Sequence, residues 1–444
     1  MRRAITILLA AFRAASVALA TGASGRVLPP QDGGGGEPPK TQFEETEGAE
    51  WTSHENELRF LAEVDALSDR VEIAVVGKTA EGRPMHLVQM GAPRPVSAAQ
   101  ARNRPTLLFV CSQHGNEPAG REACLKLLRD LAFTEDKTLV SQLEDMTVLF
   151  IPSANPDGSA ANTRGNAAGT DINRDHLNLK TPEARAMAAV VREWEPEVSM
   201  DLHEYGPSLP VVYDDEVLLL WPRNLNIDQQ VHDLAHGLVN EHLMPKTEEA
   251  GYTADEYGQY EIADNDIHQA AGDGDEGIMR NAMGLRHSLG VLVESAVTAD
   301  PRNGPGEVLS EAEVNLRRVD SHMAVSLAAL EYMRDRGGAV AKATSGAFDR
   351  KTAEGRKRSA PVYFDGADNE EPTVMQDPPP CGYRLDAEQF DAVSLTLELL
   401  GVKTKKAGAS YFVPMAQPAE PLIPLLLDER GNRHAVAAEM LETC

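Results

Sequence analysis

His114 and Glu117 stand three residues apart in "CSQHGNEPAG", directly after the apolar run "TLLFV". An imidazole and a carboxylate at the end of a buried strand can ligate a metal ion. The same pair in a surface turn is only a charge pair. The spacing decides nothing by itself, because the chain repeats it: His54 and Glu57 stand in "SHENE". Context separates the two copies. "SHENE" lies in a polar segment with no strand before it. His114 follows a strand pattern and precedes a helical one, and ligands in α/β sheets gather at the carboxyl ends of strands.

A second strand pattern, "EVSMDLH", closes on His203. Two histidines and one glutamate form the set that holds a catalytic zinc and leaves one position for water. A third segment, "NPDGSAANTRGNAAGTDINRDH", follows the strand pattern "MTVLFIPS" and carries Arg164, Asn173 and Arg174. A guanidinium fork matches a carboxylate, so this loop reads as a pocket for an anionic substrate end. Asp171 is placed to accept the spare N–H of a metal-bound histidine. A fourth segment, "GVLVESA", ends an apolar strand on Glu294. A carboxylate there either caps a turn or faces the site as a general base. His232 and His236 in "VHDLAH" read as surface or packing histidines, since no glutamate follows His232 as in HExxH. The chain has neither a GxSxG nor a Walker loop, which removes support for a serine hydrolase or a nucleotide enzyme.

The elements that must position these residues alternate. "VEIAVVGKTAEGRPMHLVQMG" predicts two strands around a turn. "TLLFVCS", "MTVLFIPS", "EVSMDLH", "PVVYD" and "LGVLVES" predict further strands. "ENELRFLAEVDALS", "AGREACLKLLRDLA", "TPEARAMAAVVREW" and "EAEVNLRRVDSHMAVSLAALEYMRD" have helical spacing. Strands separated by helices imply an α/β fold with a mixed, mostly parallel sheet covered on both faces, followed by a small C-terminal α+β unit.

The motifs HGNE, NPDG, TRGN, DINR, DLH and LVES, in this order, resemble the M14 zinc carboxypeptidase family over roughly residues 51–336. The resemblance implies one zinc ion on His114, Glu117 and His203, with Asp171 orienting His114. It implies Arg164 on the scissile carbonyl and its oxyanion, and Asn173 with Arg174 on the substrate's terminal carboxylate. Glu294 would be the general base toward a zinc-activated water, and the substrate a peptide or acylated amino acid with a free carboxylate. The sequence departs from the family in three places. "DH" follows Arg174, "GDGDEGIMRNAMGLRHS" replaces the expected pattern, and none of Tyr252, Tyr257 and Tyr260 matches the family's mobile tyrosine. Two other readings keep a place: a deacylase of the succinylglutamate desuccinylase or aspartoacylase type or a cell-wall peptide amidase, and a catalytically inactive binding protein.

The chain of 444 residues is 42% hydrophobic, enough for a large core, and carries a formal net charge of −27. That charge argues against a nucleic-acid partner, because phosphates would be repelled. Residues 1–23 have the basic, apolar and small-residue pattern of a signal peptide, which predicts a secreted or periplasmic protein with no membrane span after its removal. Composition then predicts a flexible linker over 24–50, a catalytic domain over 51–338, a polar linker over 339–380 and a small domain over 381–444. Cys111 and Cys124 read as buried thiols, and Cys381 with Cys444 as a candidate pair.

Overall fold

The computed structural model describes residues 37–206, 215–263, 266–270, 273–298 and 309–443. Ten strands come first: β1 (Val71–Lys78), β2 (Pro84–Met90), β3 (Thr106–Cys111), β4 (Thr147–Ile151), β5 (Val198–Tyr205), β6 (Val217–Leu220), β7 (Ala254–Glu256), β8 (Gln259–Ala263), β9 (Asp266–Ala270) and β10 (Leu289–Ala296). Eight of them form one mixed sheet in the order β1-β2-β4-β3-β5-β10-β6-β7. Its centre, β4-β3-β5-β10, is parallel. The hairpin β8-β9 stands apart from it.

The central strands β3 and β4 are almost wholly apolar, and β5 and β10 are largely buried, because both faces are covered. In β3, Leu107, Phe109 and Cys111 point into one core with the helices His54–Leu67 and Ala119–Phe133. Leu108 and Val110 point into the other, against the helices Pro182–Trp194 and Met279–Leu285. Register then aligns the chemistry. Cys111 pairs with Leu202 across β3 and β5, and Glu294 pairs with His203 across β10 and β5. The loop after β3 and the ends of β5 and β10 therefore lie together on the carboxyl edge of the parallel block.

Several expectations need correction. The linker expected up to residue 50 is packed from about residue 38. Thr41 caps a short helix, Gln42–Glu45, Phe43 is buried against Trp51 with ring centroids 4.9 Å apart, and Glu44 pairs with Arg129 at 2.8 Å. The linker expected from residue 339 is helix as far as Lys357, because the helix Glu311–Lys357 runs on without a break. Its small and long-stemmed residues Val340, Thr344, Ala347 and Lys351 recur at helical spacing and are buried. The glycines that read as breakers are close contacts instead. A Cβ on Gly337 would meet Pro105 at 3.0 Å, and one on Gly355 would meet the Met415 carbonyl oxygen at 2.2 Å. Beyond this helix, β11 (Val362–Tyr363) pairs with β12 (Met375–Gln376). The C-terminal unit has β13 (Gly382–Leu385), β14 (Lys405–Ala407), β15 (Ser410–Pro414) and β16 (Glu439–Leu441) beside the helix Ala387–Leu399. It packs on the rest within one compact body, Pro38–Cys444.

Cys111 and Cys124 are joined in a disulfide rather than left as thiols. The loop after β3 turns straight into the next helix and brings their Cα atoms to 6.8 Å. Cys444, the strand expected at "PVVYD" and the signal segment lie outside the described residues. Among the described residues no helix is long and apolar enough to cross a membrane.

Candidate metal centre

β3 is followed by Ser112 with a left-handed backbone, φ 56°, a strained conformation for a non-glycine residue. The chain turns there so that His114 and Glu117 face the edge of β5. The turn is held by the neighbouring motif. Asn155 caps its own helix by accepting the Gly158 N–H at 2.9 Å and donates to the carbonyls of Gln113 (3.0 Å) and Arg164 (3.3 Å). Gly115 lies against Gly158 so closely that a Cβ would meet the Gly158 carbonyl carbon at 1.9 Å. Glycine is required at that contact. Asp157 ties the same corner to the β1–β2 turn through Thr79 (2.7 Å) and Arg83 (2.6 Å). The first three motifs, HGNE, NPDG and TRGN, are thus one mechanical unit.

His114, Glu117 and His203 are buried, and their ligand atoms lie within 4.8 Å of one another. His114 Nδ1 is 2.8 Å from Glu117 Oε1 and 3.0 Å from His203 Nδ1, and His203 Nδ1 is 2.9 Å from Glu117 Oε2. The far side of each ring fixes its tautomer. His114 Nε2 lies 3.1 Å from Asp171 Oδ1, and His203 Nε2 lies 2.9 Å from Asp201 Oδ1. With each Nε2–H directed at its carboxylate, each Nδ1 is the atom left to turn a lone pair toward Glu117 and a bound ion. Three lone pairs meeting at about 3 Å repel unless a positive charge sits among them. Two nitrogens and one oxygen are a donor set that suits zinc. The residues present therefore fit the ion.

Where no metal supplies that positive charge, a proton on the imidazoles does, and the ring nitrogens then donate to Glu117. Burial opposes charge on Glu117, but hydrogen bonds from His114 and His203 outweigh it and bring its pKa down to about 2. Burial would also lower His203, yet Asp201 and Glu117 hold its pKa well above the ordinary value. Glu294 goes the other way. Burial raises it to about 8, with Glu117 and Asp201 adding to the rise while His203 and Arg164 oppose it. Its Oε2 is sealed from water and has no hydrogen-bond partner among the described residues.

Arg164 and Asp171 lie together beside His114. Arg164 donates to Asp171 Oδ2 from Nε (3.1 Å) and Nη2 (2.8 Å), and its Nη1 lies 3.2 Å from His114 Nδ1 and 3.5 Å from Glu117 Oε1. Its side chain is 49% exposed, so it stands at the mouth. Arg174 is exposed and donates from Nη1 to the Asn173 carbonyl at 2.8 Å. Asn173 differs from the expectation. Its amide faces inward: Oδ1 accepts the Met279 N–H at 2.8 Å, and Nδ2 donates to Asp201 Oδ2 at 3.2 Å and lies 2.9 Å from His203 Nε2. The 3₁₀ turn Ile172–Arg174 buries the asparagine while presenting the arginine.

A buried chain behind His203 escaped the sequence reading. His176 Nε2 lies 2.7 Å from Gln113 Oε1, and Gln113 Nε2 donates to Asp201 Oδ1 at 2.6 Å. Burial lowers the His176 pKa to about 4, so it is neutral and its N–H serves Gln113. The odd "DH" after Arg174 now has a cause. His176 closes this chain, and Asp175 accepts the Thr181 N–H at 2.7 Å. Only the position of Gln113, next to His114, could have signalled its part. Tyr257 is half-buried within electrostatic reach of Glu294, Arg280 and Arg174, while Tyr252 stacks under Arg317. The side chain of Tyr260 lies outside the described residues. His232 pairs with Asp368 at 2.9 Å, and His236 packs edge-on against Trp221. The C-terminal unit reaches the site loop: Arg433 pairs with Asp275 and donates to the Arg174 carbonyl at 3.0 Å.

The fold is a parallel-centred α/β sheet, with two histidines and a glutamate at its carboxyl edge that could hold a metal ion beneath an arginine-rich mouth. The zinc carboxypeptidase family matches residues 58–285, and the chain belongs to that family. Carboxypeptidase 2 of Trichophyton equinum is 31% identical over 225 residues, covering 49% of this chain and 42% of that protein. Carboxypeptidase E of Caenorhabditis elegans is 30% identical over 150 residues, covering 30% of this chain and 31% of that protein. The match thus spans under half the length of these curated relatives. A solved structure from Burkholderia mallei ATCC 23344, described as a carboxypeptidase, shares the fold with a TM-score of 0.50 at 19% identity, covering 64% of this chain and 68% of that one.

Proposed function

We propose that the protein is a zinc-dependent metallocarboxypeptidase that hydrolyses the C-terminal peptide bond of peptides, with one zinc ion held by His114, Glu117 and His203. The reading rests on the meeting of three lone pairs beside a sealed carboxylate in register with His203. A zinc ion held there supplies Lewis acidity, which brings water within reach of a carboxylate base near neutral pH. Glu294 is that base: burial favours its protonated form, and the positive charge that a bound zinc would add nearby favours the carboxylate. Its free Oε2 takes the proton from water and later delivers it to the departing amine. Arg164, at the mouth beside His114, donates to the oxyanion that develops on the scissile carbonyl. Arg174 takes the substrate's terminal carboxylate with a bidentate fork. Asn173 supports this arrangement from behind, by holding Asp201 and so the ring of His203. The segment 381–444 supports the Arg174 loop through Arg433. The basic and apolar pattern of residues 1–23 supports export of the protein.

Metal analysis and a pair of peptides test the reading. We expect close to one zinc per chain, cleavage of a peptide with a free C-terminus, and loss of that cleavage on chelation with return on added zinc. Activity that survives full chelation overturns the metal assignment. Equal cleavage of a C-terminally amidated peptide overturns the carboxypeptidase in favour of an amidase on the same fold.

A further inference from the structure

The opposite edge of the sheet holds a recess that the proposed chemistry does not use. It has a volume of 430 Å³ and lies at the amino ends of β3, β5 and β10, where Thr106, Glu197 and Ser288 line it. The helix Pro182–Trp194, the helix Glu311–Lys357 and the C-terminal unit close its sides. Six residues of extended β5 separate Glu197 from His203, so the two sites are about 20 Å apart. The volume falls within the range of small-molecule sites.

Its charge runs against that of the chain. The protein carries a net charge of −27, yet Arg102, Arg192, Arg286 and Lys403 line this recess against two acids, Glu195 and Glu197. Arg102 is paired with Glu195 at 3.2 Å, and Arg192 with Glu398 at 3.2 Å. Burial pushes Glu197 up to about 7, which reduces its negative charge near neutral pH. Arg286 has no carboxylate partner among the described residues. Its Nη2 donates to the carbonyls of Ala188 (3.2 Å) and Leu399 (3.4 Å). The second of these is the C-terminal residue of its helix, where the backbone carries partial negative charge. That leaves the donors on Nη1 and Nε, since a guanidinium has five N–H groups. Burial, with Arg192 nearby, lowers the Arg286 pKa to about 10, so the group remains charged. Trp194 and Phe348 supply apolar lining in the same recess.

We propose that this recess is a second ligand site, which binds a small organic monocarboxylate with an aromatic or branched apolar body. The carboxylate meets the free donors of Arg286, and the body lies along Trp194 and Phe348. A charge-assisted pair in a recess fixes the orientation of the ligand, and the apolar wall supplies the remaining affinity. Bound ligand bridges the catalytic sheet and the C-terminal unit, so it also raises the melting temperature.

Calorimetric titration of the zinc-loaded full chain with cinnamate, and with the neutral cinnamamide, tests this. We expect saturable cinnamate binding with a Kd below about 1 mM, and affinity at least ~10-fold weaker for the amide. Arg286→Met should weaken cinnamate by a similar factor. Ser345→Trp, which changes an exposed position lining the recess, should block it sterically and decides the question if Arg286→Met does not fold. Arg174→Ala, which removes the arginine of the proposed catalytic cleft, should leave cinnamate binding unchanged. No saturable binding, or binding that disappears in Arg174→Ala and survives in Ser345→Trp, overturns the proposal.

Discussion

His54 with Glu57 and His114 with Glu117 share residue types and spacing, and the fold makes opposite things of them. His54 opens the helix His54–Leu67 behind its cap, Ser53. Among the described residues no hydrogen bond joins it to Glu57, whose Oε2 is buried and unpartnered. Burial raises the Glu57 pKa to about 7. His114 and Glu117 lie in a turn that glycine and asparagine contacts hold open toward β5, where a second imidazole waits. Burial acts on both glutamates. Only Glu117 has two imidazoles to outweigh it, and its pKa falls to about 2. The motif has no chemistry of its own. The convergence of a third donor gives it one.

Exchange of the two glutamates breaks the comparison most sharply. Glu117→Gln should empty the metal site and reduce peptide hydrolysis by at least about 10³-fold, since the metal's contribution to the transition state is lost. Glu57→Gln should keep both metal and turnover. Elemental analysis and steady-state rates on the two variants check this. Comparable metal loss in both would mean that the second copy, too, belongs to the site.

Glu294→Gln separates ligand from base. The amide cannot take a proton, so kcat should fall by about 10² to 10⁴-fold while zinc content stays near that of the parent. A variant that loses its metal instead would make Glu294 part of the donor set.

The pH dependence of stability sharpens the same contrast. The Glu57 pKa is raised from 4.5 to about 7 in the folded protein. A raised pKa means that the folded state holds this proton more tightly. Its contribution is complete below pH 4.5 and is lost as pH rises through about 7. The full swing is on the order of 3 kcal/mol. Glu197, Glu276 and Glu420 titrate in the same window, so the difference between parent and Glu57→Gln is the quantity to read. Denaturant melts at pH 4.5 and pH 8 should show a smaller loss of stability in the variant. The Glu117 pKa is lowered, so its contribution is present above pH 4.5 and lost as pH falls toward 2. Parallel loss in parent and variant would remove Glu57 from this account.

Much of the site was legible because its residues close strands or stand in turns whose types carry physical meaning. His203 and Glu294 end apolar runs. Less was legible where a residue acts through long-range packing. Gln113, Asp201 and His176 look like ordinary polar residues until three segments meet. Asn173 reads as a ligand for an anion because its neighbour Arg174 does, but a single turn of 3₁₀ helix sends the two side chains in opposite directions. The region 339–357 was misread because its composition is polar and its glycines look like breaks. Burial of one face against Pro105 and Met415 is a tertiary fact that local pattern does not contain.

The smallest of these effects concerns that hidden chain. Gln113 joins neutral His176 to Asp201, and Asp201 holds the N–H of His203. Removing an outer partner leaves the three donors in place but loosens the ring that carries one of them. Gln113→Ala should weaken zinc affinity by about 10 to 100-fold, measured by competition with a chelator of known affinity, and saturating zinc should restore most of kcat. Rescue is the informative part, because a residue that touched the substrate would leave kcat low at any zinc concentration. His176→Phe should have a milder effect of the same kind, since Gln113 keeps its bond to Asp201. No equivalent chain backs His54, so substitutions around it should leave zinc affinity unchanged.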